Sequence, residues 1–117
     1  MADHFVIWGV VIHLIVDWLL QNQWMADNKS NPRHLSGYVH AGLHALALCV
    51  IFPPAAALTI GCIHYLIDLR TPLIWWRRVY GQTTDGPVAL HVAIWGDQVA
   101  HIFVIALAAL LCAHLSL

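Results

Sequence analysis

His13–Lys29 reads HLIVDWLLQNQWMADNK, and this stretch decides the fold. His13, Asp17 and Gln21 recur every fourth residue inside an otherwise apolar run. At 100° per residue the three fan across only about 80° of one helix face. Trp24 and Asn28 return to the same stripe if the helix continues. A histidine and a carboxylate stacked on an apolar helix need partners, because a lone charge in hydrocarbon costs several kcal/mol. Three more pairs share the i, i+4 spacing: His40 and His44, His64 and Asp68, Asp97 and His101. This repetition is the main functional signal in the chain.

The surrounding composition is that of a membrane protein. Of 117 residues, 61% are apolar and 9% are charged, against roughly a quarter charged in soluble domains. The mean hydropathy is +0.73. The length bounds the chain to one domain, residues 1–117. A net charge of −1 gives no basic footprint for nucleic acid. Cys49, Cys62 and Cys112 stand alone in apolar segments without C-x-x-C spacing, which reads as packing. The first apolar run has no basic n-region, contains Asp17 and leads into QNQW, unlike a cleavable leader.

Working outward, the pattern predicts an all-α chain with four transmembrane helices, over about 5–22, 37–52, 55–69 and 88–114. Pro32 and Gly37 break the chain after the first helix, and Pro53-Pro54 makes helices two and three a tight hairpin. The second helix carries a strip, Gly37, Ala41, Ala45 and Leu48, that favours close contact. Trp75 and Trp76 beside Arg77 and Arg78 suit a short helix at headgroup level. Lys29 and Arg33 follow helix one; Arg70, Arg77 and Arg78 follow helix three. In an up-and-down bundle these connections, 23–36 and 70–87, share a side, which the positive-inside rule makes cytoplasmic.

That topology brings the four polar motifs to one depth near the cytoplasmic face. Imidazole and carboxylate ligands suit zinc first, with manganese or iron as alternatives. The candidate ligands are His13, Asp17, His40, His44, His64, Asp68, Asp97 and His101, more than one tetrahedral ion needs. Either two ions bind, or several of these groups only support the ligands. The leading scheme is a metal-dependent hydrolase acting on a lipid or anionic substrate. In it His13, His64, His101 and one or more aspartates bind the ion, and Asp17 or His44 serves as general base. Lys29 or Arg33 would steady an anionic headgroup. Gln21 either hydrogen-bonds a ligand carboxylate or merely ends the apolar stripe, and His4 and His34 read as solvated. His91 and His114 lie off the stripe.

Two other readings use the same residues: a metal or proton carrier, and a non-catalytic subunit whose His/Asp network fixes packing and homo-oligomer state. Few polar residues beyond Thr59 and His114 extend a path outward, which counts against a carrier. The chain has no G-x-S-x-G and no phosphate loop, and lacking glutamate it has no H-E-x-x-H.

The motifs also resemble a known family, domain-of-unknown-function family 3307, small bacterial and phage integral membrane proteins. Its opening H-x-x-x-D-x-x-x-Q-x-x-W-M-A-x-N-K stands here as His13, Asp17, Gln21, Trp24, Met25, Ala26, Asn28 and Lys29. A histidine in the second helix (His40 or His44), H-x-x-x-D in the third (His64, Asp68) and D-Q-x-x-H in the last (Asp97, Gln98, His101) complete it. The resemblance implies a compact membrane protein and brings no activity with it; the expected location is a bacterial inner membrane.

Overall fold

The apolar run at the start of the chain forms α1, Ala2–Leu14, and carries on into one π-helical turn, Ile15–Leu19. The wider turn is closed by the Leu20 N–H donating to Ile15 O at 3.1 Å. The computed structural model describes residues 1–117. There the helix stops, short of the expected residue 22. Asn22 takes an extended conformation, and its side-chain oxygen accepts from the Met25 N–H at 3.0 Å, so a new helix starts. This cap is worth about 1 kcal/mol. It opens α2, Gln23–Asn28, inside what the sequence reads as a plain connection. The stripe therefore does not run on through Trp24 and Asn28 on one helix.

His34 begins α3, Leu35–Leu48, its Nδ1 accepting from the Ser36 N–H at 3.1 Å. The residue expected to be solvated is thus a helix cap. Cys49–Phe52 forms the turn rather than the end of that helix, and Pro54, whose missing N–H costs nothing in a first turn, opens α4, Pro54–Asp68. Arg70 at φ 67° breaks the chain by 63° before α5, Thr71–Tyr80, which ends at Gly81. The last helix, α6, spans Ala89–His114.

The protein is all-α. Ala2–Leu19 and Ala89–His114 are each long and apolar enough to cross a membrane, and α4 with α5 makes a third if taken as one broken span. At 14 residues, α3 is shorter, roughly 21 Å. Leu90, Ile94, Val99, Phe103, Leu107 and Leu110 of α6 are exposed, an apolar surface that water would not tolerate over such an area. This is a membrane-associated chain.

Packing divides the molecule along its length. Phe5, Leu48, Phe52, Ala57, Ile60, Ile105, Ala109 and Cys112 form one apolar cluster. Of the three cysteines expected to pack, only Cys112 does; Cys49 and Cys62 are exposed. Towards the other ends of α1, α3, α4 and the middle of α6 lie the buried polar groups, His13, Ser36, His40, His44, His64, Asp68 and His101. The small-residue strip of α3 permits a close approach: a Cβ on Gly61 of α4 would stand 2.7 Å from Ala45 Cβ.

Candidate metal centre

Each i, i+4 pair presents two side chains on one helix face, and four helices turn those faces inward. The result is one connected cluster of five imidazoles. His44 and His64 have ring centroids 3.7 Å apart, His64 and His101 4.1 Å, His40 and His64 5.0 Å. His13 lies 5.0 Å from both His44 and His101.

Two carboxylates thread this group. Asp17 sits in the π turn, a feature common at functional sites. His40 Nε2 donates to its Oδ1 at 3.1 Å, and His44 Nε2 lies 3.4 Å from the same oxygen. Asp68 Oδ1 accepts from His101 Nε2 at 3.2 Å, while Oδ2 lies 2.9 Å from His64 Nε2. Asp97, at 24% side-chain exposure the least buried acid, lies 3.5 Å from His101.

His44 Nε2 and His64 Nε2 are buried without a hydrogen bond, although a carboxylate oxygen is near each. Such orphaned polar atoms ordinarily cost 1–3 kcal/mol. A lone pair left free for a cation would account for them. The donor atoms group accordingly: Asp17, His40, His44 and His64; His13, His64 and His101; Asp68, Asp97 and His101, each set within 4.8 Å of one another. These residues fit a metal ion by donor type and spacing.

The charge balance points the same way. Lys29 Nζ lies 3.9 Å from Asp17 and 3.7 Å from Asp68. No arginine is within ion-pair distance of the three acids. With neutral imidazoles, three carboxylates against one ammonium leave two negative charges, the complement of one divalent cation.

All eight expected ligands are thus neighbours in space. Lys29 and Gln98 stand elsewhere than the sequence suggests. Lys29, expected above the site as an anion holder or topology charge, turns into it because the break at Leu20–Asn22 folds α2 back over α3. Arg33 is exposed and forms no ion pair, whereas Gln21 Oε1 is buried without a partner beside an open cavity. Gln98 joins the centre unforeseen. Its Oε1 accepts from His13 Nε2 at 3.1 Å, and its Nε2 donates to Asp17 Oδ2 at 2.9 Å and Asp97 Oδ2 at 3.3 Å. Its adjacency to Asp97 within D-Q-x-x-H was the available signal.

Beside the cluster lies a cavity of about 1020 Å³, with Asp17, Asp68, Asp97, Gln98 and Lys29 on its inner wall. A helical, membrane-associated protein with buried His/Asp clusters capable of coordinating a metal ion is the class that fold and site define. The chain belongs to the family described as protein of unknown function DUF3307, which it matches over residues 5–117. No curated protein and no solved structure matches it.

Proposed function

We propose that this chain is a single-domain, four-span, up-and-down membrane protein whose metal centre hydrolyses a lipid or other anionic substrate near the cytoplasmic face. The spans are α1 with its π turn, α3, α4 and α6. Connections 23–36 and 70–87, which hold every lysine and arginine, are cytoplasmic. Locating the chain in a bacterial inner membrane belongs to the same proposal.

His64 carries the reading. It is buried and belongs to two of the three donor sets, with Asp68 Oδ2 2.9 Å from its Nε2. The proposed ligands are His13, His64 and His101, with Asp68, which lies against two of these imidazoles and also lines the cavity. Zinc is the first expectation, manganese and iron the next. A divalent ion bound there supplies Lewis acidity toward a phosphoryl or acyl oxygen and makes water acidic enough to attack near neutral pH. Asp17, which lines the same cavity, is the carboxylate placed to accept a proton there as general base. His40 and Gln98 hold Asp17 in place by hydrogen bonds, and Asp97 lies against His101. A carrier is less well supported, because the apolar cluster from Phe5 to Cys112 closes the other half of the molecule to ions.

Elemental analysis of detergent-purified protein is the test. One equivalent of divalent metal per chain is expected, lost in His64→Ala and in His101→Ala. A metal-free wild-type protein prepared without chelators, with both variants altered only in stability, would leave the non-catalytic reading in its place.

A further inference from the structure

α5 has two unlike faces. Trp75, Trp76 and Arg78 are exposed on one of them. Arg70, just before the helix, with Leu73, Ile74 and Arg77 follows the i, i+3, i+4, i+7 rule for a single stripe, and all four line the 1020 Å³ cavity. Leu14, Ile15 and Ile94 extend the apolar wall on α1, the π turn and α6. The cavity is therefore apolar along its sides, with two guanidinium groups on one wall and the metal-capable cluster on another.

Arg70 is exposed and Arg77 half-buried. Neither forms an ion pair, and Arg77 Nε is buried with no hydrogen-bond partner. Arg70 holds a left-handed backbone conformation, φ 67°, that a non-glycine residue adopts only when its surroundings require it. Planar guanidinium forks match phosphate oxygens, and a carboxylate partner inside the protein is absent. The exposed tryptophans of α5 suit headgroup level; at that level a phosphate would stand by the arginines and an acyl chain would run inward along Leu14, Ile15 and Ile94.

We infer that the cavity is a binding site for a phosphate-headed lipid, with Arg70 and Arg77 clamping the phosphate and the apolar wall holding the tail. This names the substrate class of the proposed hydrolase, and it rests on that reading for the chemistry but not for the binding. The size agrees, since small-molecule sites run up to about 1,000 Å³.

The test measures binding of dioctanoyl phosphatidic acid to the purified full chain in detergent, with dioctanoylglycerol and inorganic phosphate as controls and metal content assayed on the same samples. Phosphatidic acid is expected to bind saturably, and each control at least about tenfold more weakly. Arg70→Gln with Arg77→Gln should weaken phosphatidic acid by at least about tenfold while metal content and melting temperature stay as in the wild type. Equal binding of dioctanoylglycerol would overturn the clamp, and equal binding of inorganic phosphate would overturn the lipid tail. An unchanged double variant would also overturn the inference. Should that variant fail to fold, Ile94→Asp, on the tail wall, must weaken phosphatidic acid and leave inorganic phosphate unaffected, or the inference falls. Metal without lipid binding sinks this inference alone. Lipid binding without metal sinks the hydrolase and leaves the binding site standing.

Discussion

His40 Nε2 stands 3.1 Å from Asp17 Oδ1 and 3.5 Å from Asp68 Oδ2, so one imidazole joins the carboxylate of the π turn to that of α4. Asp17 and Asp68 come from helices far apart in sequence, and His40 is fully buried between them. Replacing it with alanine strips a partner from both acids at once. The expected cost is about 1–3 kcal/mol, the range for leaving a buried hydrogen-bonding group without its partner. Thermal unfolding in detergent should show a large drop for His40→Ala. His91→Ala, at an exposed position outside the cluster, should stay within about 0.5 kcal/mol of the wild type.

Metal removal should uncouple the centre from the packing beneath it. A ligand that binds only the folded chain stabilises it by about 2.7 kcal/mol at a hundred times its Kd. Chelation is therefore expected to lower the melting temperature of the wild-type protein and to leave His64→Ala unchanged, that variant having no ion to lose. A chelator effect of equal size in both proteins would remove His64 from the ligand set.

The contact between α3 and α4 makes a separate prediction, independent of any ion. A Cβ on Gly61 would meet Ala45 Cβ at 2.7 Å, with Ala41 O at 3.3 Å behind it. Gly61→Ala should destabilise by about 1–3 kcal/mol, the usual cost of overpacking. Combining it with Ala45→Gly removes the colliding atom and should restore most of the loss, a coupling a double-mutant cycle in thermal melts can read. Gly42 faces open space on α3, so Gly42→Ala should be neutral or stabilising by up to about 1 kcal/mol.

The histidines and aspartates were legible because burial of ionisable groups in an apolar chain is costly enough to leave few arrangements. Spacing four apart puts each pair on one face, and the Pro53-Pro54 hairpin sets His40 and His44 against His64 and Asp68. What spacing could not reveal was the break after Leu20. A π turn has no residue signature of its own, and Asn22 reads as a loop residue until the N–H it caps is known. Without that break Lys29 falls outside the cluster. Gln98 escaped for another reason: an amide has no charge to neutralise, so nothing in the composition demands a partner for it. The cavity is harder still, since Arg70 and Arg77 read as topology charges and their shared face appears only once α5 is bent off α4.

Lys29 gives the sharpest test of the charge argument. Its ammonium lies within 4 Å of both Asp17 and Asp68, at 14% side-chain exposure, and so already occupies part of the field a divalent ion would feel. At about 4 Å and an effective dielectric of about 20, each such attraction is worth about 4 kcal/mol before the cost of desolvating the lysine. Lys29→Met keeps the length of the stem and removes the charge. The metal-free variant should melt well below the metal-free wild type, because its acids have lost their counter-ion. Its affinity for zinc should rise at least about tenfold, since the ion no longer competes with an ammonium for the same two carboxylates. The gap in melting temperature between metal-loaded and chelated protein should therefore widen. If zinc binds Lys29→Met no more tightly than the wild type in a competition titration, the lysine and the ion do not share those acids, and the charge balance ceases to support a metal.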